Sequence, residues 1–399
     1  MISKKYFSYK LQNVRIKDIF AVFSMIIALI LLPFYKKSLR NTWLICESPN
    51  EARDNGYQFF KYIKTKHPNQ QVCYAIKHKS PDYKRVEDFG NIIEYGSIKH
   101  WLLYFSCKYN ISSQKGGKPN AAICAFFELN GIFKVKNIFL QHGVVINNLE
   151  WLYAKNSKID LFITSTIDET LFINSNFGYP KNTIKLIGLS RFDELHNLNV
   201  VKNRVLIMPT WRQWFNINSI KNSAEIDCNV GTSTYLNKWI ELLNSPLMTD
   251  LIRNQNLEII FYPHRQMQFF IDKFQNVKND IIIASWRDYN IQDLLKSSAI
   301  MITDYSSVFF DMVYMKKPVI FYQFDEDEFR RYQYSKGYFD YHNNPFGNTF
   351  STSNEVLKEL KIYAKNKFKI SEDFIKEHSR IFPFHDNRNS ERLYNILTK

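Results

Sequence analysis

The chain has 399 residues, room for two domains of ordinary size plus a short appendage, because single cores stop growing near about 250–300 residues. Its 45% apolar and 16% aromatic content can fill real cores and its 23% charged content is ordinary, which excludes both disorder and a multi-span membrane protein. Lysine plus arginine number 53 against 38 acidic residues, and the formal net charge of +15 calls for an anionic partner. Zinc-finger spacing, a basic zipper and an RNP-like run are all missing, so nucleic acid is not expected, and acidic lipid or phosphorylated substrates are. The five cysteines (Cys46, Cys73, Cys107, Cys124 and Cys228) are scattered without a Cys-x-x-Cys pair. This usage fits a reducing cytosol and supports neither a disulfide framework nor a zinc site.

The first feature along the chain is the apolar run Ile19–Tyr35, broken only by Ser24 and by Pro33 near its end. Lys4, Lys5, Lys10, Arg15 and Lys17 precede it and Lys36, Lys37 and Arg40 follow, with Asp18 the lone acid. A run at the short edge of bilayer-spanning length, flanked by positive charge, predicts a membrane-seated helix on anionic lipid at the cytoplasmic face. No small-residue cleavage site follows it, which argues against a signal peptide. Residues 1–40 are therefore expected to be a basic, apolar membrane-associating segment.

Beyond Arg40, short apolar runs alternate with amphipathic stretches, the pattern of repeated strand and helix units. Strands are expected at Thr42–Cys46, Val72–Ile76, Asn137–Gln141, Leu161–Thr164 and near Ile184–Ile187, then at Arg204–Met208, Leu257–Tyr262, Ile281–Ala284, Ile300–Thr303 and Pro318–Tyr322. That spacing predicts an α/β protein of two doubly wound, Rossmann-like parallel sheets, residues 41–200 and 201–399.

Ligands of open α/β sheets bind beyond the carboxyl ends of the strands. Those ends carry His142 and Gly143, Gly188-Leu-Ser-Arg191, Pro209-Thr-Trp-Arg212, Pro263-His-Arg265, and Asp304 with Ser306 and Ser307. Each alone also reads as structure: a turn with a satisfied histidine, a strand exit with a solvated arginine, or an N-cap with polar first-turn residues. Together, they suit phosphoryl transfer. An attacking hydroxyl must lose a proton, which an imidazole near neutral pKa can take. His142 is the candidate base, and His264 competes with it or binds and protonates donor phosphates. If Asp304 caps a helix starting after Thr303, the first amides and the two serine hydroxyls form an anion cradle, helped by Arg191, Arg212 or Arg265. No DxD pair stands at a strand end, so no obligatory metal or other cofactor is expected.

Several ordered segments resemble the CDP-glycerol glycerophosphotransferase family of teichoic acid primases and polymerases. They are Trp43–Ile63, Gln141-His-Gly143, Gly188–Asp193, Pro209–Arg212, Pro263–Arg265 and Ile302–Arg330. The resemblance implies a glycosyltransferase-B-like fold with an acceptor-side domain first and a donor-binding domain second, the donor in the cleft between them. It also implies transfer of glycerol phosphate, or a related polyol phosphate, from CDP-glycerol or CDP-ribitol to a hydroxyl of a lipid-linked or polymeric teichoic-acid-like or capsular acceptor, releasing CMP. By the resemblance His142 is the base and Arg191 a phosphate ligand. His142, Gly143, Val144, Val145 and Ile146 lie along the donor, Pro209, Thr210, Tyr262, Pro263 and His264 border the cytidine diphosphate, and Ser306, Ser307 and Asp311 hold the pyrophosphate and the glycerol or ribose. The alternative expectation is a nucleotide-sugar-dependent glycosyltransferase of similar architecture.

Overall fold

The computed structural model of the chain describes residues 16–215, 233–274 and 277–399; Lys4, Lys5, Lys10, Arg15 and Cys228 lie outside the described residues. The chain forms two compact units, one of residues 1–142, 150–193 and 386–399, the other of residues 143–149 and 194–385.

The first unit is built on a seven-stranded sheet: β1 Trp43–Cys46, β2 Val72–Ile76, β3 Ile92–Glu94, β4 Tyr109–Ser112, β5 Asn137–Phe139, β6 Leu161–Thr164 and β7 Ile184–Leu186. Its order is β3-β2-β1-β4-β5-β6-β7 and every pairing is parallel. Successive side chains of a strand point to opposite faces, so β1 feeds two cores. Trp43 and Ile45 join Phe59, Phe60 and Ile63 on one side, while Leu44 and Cys46 join Trp101, Leu103 and Tyr104 on the other.

The second unit contains β8 Arg204–Ile207, β9 Glu258–Phe261, β10 Ile281–Ile283, β11 Ile300–Thr303, β12 Val319–Tyr322 and β13 Thr349–Phe350. Its order, β10-β9-β8-β11-β12-β13, repeats the doubly wound plan of the first sheet, again wholly parallel. Val205, Ile207, Trp239, Phe261, Ile302 and Tyr322 fill one face of it. The architecture is the expected one of two parallel-sheet α/β domains.

Three strands escape the sequence pattern. In β4 the buried Asn110 and Ser112 interrupt the apolar run usual for a parallel strand covered on both faces. Asn110 Nδ2 is satisfied by Asn137 Oδ1 at 3.0 Å and by the Gly117 carbonyl at 3.3 Å. β3 and β13 span three and two residues, too short for a period to show.

The helix at the apolar run extends from Ile16 to Leu39, longer than the run itself and with Pro33 inside it. Met25 and Ala28 are buried in the same core as Trp101 and Leu102 of helix Ile98–Ser106, and Leu31 and Leu39 pack at its edge. Ile19, Phe20, Phe23, Ile30 and Phe34 are exposed. From Asp18 to Leu39 the helix is long and apolar enough to cross a membrane.

The last helix, Asn389–Thr398, belongs to the first unit: Leu393 and Leu397 lie in the Trp43 core. Asp193 ties it down, accepting from the Asn389 amide and Nδ2 at 2.8 Å each and from the Ser390 amide at 2.9 Å. Asp193→Ala is expected to remove about 2 kcal/mol or more of stability, read as a lower midpoint in urea denaturation of the full chain.

Candidate active site

In the first unit a polar cluster gathers where β1, β4, β5, β6 and β7 end. The backbone turns into the left-handed region at Gln141, φ 65°. That is an uncommon conformation for a residue with a side chain, and it is secured by Gln141 Nε2 donating to the Ile163 carbonyl at 2.5 Å and to Glu169 Oε1 at 2.9 Å. The Gln141 carbonyl accepts from Asn55 Nδ2 at 2.8 Å, and Asn55 Oδ1 accepts the Arg191 amide at 2.9 Å. Thus Asn55 pins the ends of β5 and β7 to the start of helix Asn55–Lys66.

Asp54 is the centre of this cluster. It is the N-cap of that helix, accepting from the Asn55 amide. Its Oδ2 lies 2.5 Å from His142 Nδ1 and its Oδ1 lies 3.0 Å from Arg191 Nη1, which also donates to the His142 carbonyl at 2.8 Å. Because an ionised carboxylate only accepts, this contact puts the proton on Nδ1 and leaves the Nε2 lone pair outward. The His142 side chain is 67% exposed although its Asp54 edge is covered.

The two groups shift one another as an ion pair should. Burial opposes charge on Asp54, yet His142 and then Arg191 outweigh it and hold the carboxyl below its ordinary value. Loss of water likewise opposes charge on His142, yet Asp54 wins and raises the ring above the ordinary histidine value. The result is an imidazole oriented by its carboxylate and made more basic by it, on a side chain that stays largely exposed.

The chain passes from the first unit to the second directly after His142. Val144, Val145 and Ile146 are buried apolar residues of the second unit. Gly337 packs on this stretch so closely that a Cβ there would lie 2.1 Å from the Ile146 carbonyl oxygen. Arg330 Nη1 donates to Asn147 Oδ1 at 2.8 Å.

The remaining expected residues stand at strand ends of the second unit. Arg212 is wholly buried, with Nε and Nη2 on the Asp325 carboxylate at 2.8 and 3.0 Å, Nη2 paired with Asp304 Oδ2 at 2.9 Å, and Nη1 on the Thr210 carbonyl at 3.0 Å. Burial works against its charge, but Asp304 and Asp325 keep it firmly protonated. Its fork is therefore spent on joining the loops after β8, β11 and β12.

Asp304 is not an N-cap, contrary to expectation. The helix begins at Phe309 after Val308, and Asp304 Oδ1 accepts the Thr210 and Tyr305 amides at 2.8 and 2.7 Å. Ser306 and Ser307 are half-buried in the turn before this helix, and Ser306 Oγ accepts the Val308 amide at 3.4 Å. Asp311 is fully buried in the helix. Pro209, Thr210, Tyr262 and Pro263 are buried. His264 is half-buried, stacked on Trp211 with centroids 6.2 Å apart, and the Arg265 guanidinium lies 4.3 Å from the Trp286 ring centre. These two planar pairs, after β8, β9 and β10, form the aromatic part of the second unit's rim.

Strand-end reading missed Asn55 and Glu169 and, above all, Asp54 and Glu47. Both lie within the Trp43–Ile63 segment, Glu47 directly after β1 and Asp54 three residues before Tyr57, but the Asp-Asn-Gly sequence reads first as a helix start.

A family model for CDP-glycerol:poly(glycerophosphate) glycerophosphotransferases matches residues 30–399. The minor teichoic acid biosynthesis protein GgaB of Bacillus subtilis (strain 168) is 32% identical over 365 residues, 89% of this chain and 39% of that protein. The teichoic acid poly(glycerol phosphate) polymerase of the same organism is 25% identical over 284 residues, 67% of this chain and 33% of that protein. The chain thus spans 39% and 33% of the length of these two relatives. A solved structure of the wall teichoic acid polymerase TagF shares the fold at a TM-score of 0.67 and 15% identity, covering 97% of this chain and 98% of that chain.

Arg212→Ala leaves Asp304 and Asp325 facing each other without their cation, and is expected to cost about 3–5 kcal/mol. Thermal unfolding of the variant checks it; an unchanged melting temperature would mean that Arg212 does not hold these loops.

Proposed function

The chain belongs to the family of CDP-glycerol:poly(glycerophosphate) glycerophosphotransferases, and from that premise we propose that it transfers glycerol phosphate, or a related polyol phosphate, from a CDP-linked donor to a hydroxyl of a teichoic-acid-like acceptor. The observation that carries the reading is the Asp54–His142 pair, with the imidazole held by Nδ1 and its Nε2 side exposed at a strand end. The acceptor oxygen attacks the β-phosphorus and passes its proton to His142 Nε2. The bond from that phosphorus to the bridging oxygen breaks, and CMP leaves with the electron pair.

In this reading the first unit supplies the base and the acceptor side, and the second binds the donor. Trp211, His264 and Arg265 offer flat faces and positive charge suited to a nucleotide, and the half-buried hydroxyls of Ser306 and Ser307 suit its phosphates. His264 serves the donor phosphates rather than the acceptor hydroxyl. Arg191 acts through Asp54 and the His142 carbonyl. Arg212 is a positioning residue.

We further propose that helix Ile16–Leu39 lies in the plane of an anionic membrane surface. It is bonded to the first unit near its start, where Asn120 Nδ2 donates to Asp18 Oδ1 at 2.8 Å, and packed on it through to Leu39. A helix docked along its length on an α/β domain cannot cross a bilayer without drawing that domain's polar surface into hydrocarbon. Lying flat, it buries Phe20, Phe23 and Phe34 in the interface and keeps Lys36 and Lys37 at the headgroups.

Two experiments test these readings. CMP release is measured with CDP-glycerol, CDP-ribitol and a nucleotide-sugar panel, using a lipid-linked glycerol phosphate acceptor. Release is expected from a CDP-polyol, dependent on acceptor, and reduced about 10²- to 10⁴-fold by His142→Ala; release from a nucleotide sugar alone would replace this reading with a glycosyltransferase. For the helix, Phe20→Glu with Phe34→Glu is expected to lower binding to phosphatidylglycerol vesicles at least ~10-fold, and alkaline carbonate is expected to strip the unaltered protein from membranes. Resistance to carbonate would show a spanning helix.

A further inference from the structure

We infer that Glu47 is the positioning residue of the Asp54–His142 pair: its buried carboxylate holds the 53–57 turn in the one shape that brings Asp54 onto the imidazole. The inference rests on the reading of His142 as the base.

Glu47 leaves the end of β1 and is almost completely buried. Its Oε2 accepts the amides of Arg53 at 3.2 Å and Asp54 at 3.3 Å. Its Oε1 accepts the Tyr57 amide at 2.8 Å and the Ser113 hydroxyl at 3.2 Å, and Ser113 Oγ in turn accepts the Gly56 amide at 2.7 Å. The turn carrying Asp54 is thus wound around one side chain, directly or through Ser113. Gly56 is part of the same fit, since a Cβ there would lie 2.9 Å from Glu47 Oε1.

The charged groups around Glu47 do not explain its burial. Arg53 turns its guanidinium to Asp82 at 2.7 Å, and Arg191 is on Asp54. Cys46 and Tyr74, from β1 and β2, are buried neutral neighbours. Among the described residues Glu47 has no ion-pair partner, and a buried carboxylate without one is costly. Burial and then the Asp54 charge push its carboxyl up to about 7, while the three amides pull it down. The group nevertheless suits this place, because only an acceptor on both oxygens satisfies the donors that converge on it. Above about pH 7 its charge also favours the protonated His142 ring. Removing Glu47 therefore weakens the ring's affinity for a proton on both counts.

The test follows His142 itself. In the full chain with labelled histidine, NMR reads the ring's titration midpoint in the wild type, Glu47→Gln and Ser113→Ala, with circular dichroism reporting the fold. A glutamine keeps one acceptor oxygen but turns an NH₂ toward backbone donors. The His142 midpoint in Glu47→Gln is expected to fall by about half a pH unit or more, with a smaller fall in Ser113→Ala, and the pH profile of CMP release is expected to move the same way. A folded Glu47→Gln protein with the wild-type midpoint overturns the inference. If Glu47→Gln does not fold, an unchanged midpoint in Ser113→Ala overturns it instead. A lowered midpoint in a protein that releases no CMP from any CDP-polyol supports the role of Glu47 and discards the transferase reading.

Discussion

Everything in the first unit's site depends on one carboxylate with two cationic neighbours. Asp54 offers Oδ2 to His142 and Oδ1 to Arg191, and both contacts must be met at once. The sheet meets them because β1, β5 and β7 all point their carboxyl ends the same way, a consequence of wholly parallel pairing. Asp54, held low, adds stability above its unfolded value and loses it as pH falls through the folded one. His142, held high, adds stability below its unfolded value and loses it as pH rises through the folded one. The pair is therefore firmest in mildly acidic solution, whereas the proposed role as base needs the ring to have lost its proton.

The second unit solves a different problem with similar means. Its strand-end loops are joined by Arg212, which links Asp304, Asp325 and the Thr210 carbonyl. Such a buried network adds little net stability over apolar packing, but it tolerates few alternative geometries. The rings of Tyr235, Tyr305 and Phe329 lie 4.6, 5.3 and 5.1 Å from its guanidinium and complete the enclosure.

Much of this was legible in the sequence, for identifiable reasons. Val72–Ile76, Leu161–Thr164 and Ile300–Thr303 were readable to the residue because buried parallel strands are uninterrupted apolar runs. β4 was hidden by Asn110 and Ser112, whose polarity makes sense only once Asn137 stands beside Asn110 and the chain turns back so that Gln114 bonds Ser112. His142 stood out by following a strand. Asp54 did not, because its bond to His142 spans 88 positions of chain and nothing local announces it. Arg212 was legible as an important residue but not in its role: a strand-end arginine reads as a ligand for phosphate, and only the two distant aspartates show it turned inward. The helix at Ile16–Leu39 was visible as apolar and basic, while its docking on helix Ile98–Ser106 is tertiary information.

The most direct test of the account is the pH dependence of CMP release in the wild type and in Asp54→Asn, both at saturating CDP-glycerol. The account expects the wild-type rate to rise with pH through a midpoint above the ordinary histidine value. It expects Asp54→Asn to be slower with that midpoint moved lower, since the asparagine no longer favours the charged ring. An Asp54→Asn enzyme with the wild-type rate and midpoint would contradict it, and would mean that His142 works without its carboxylate or is not the base.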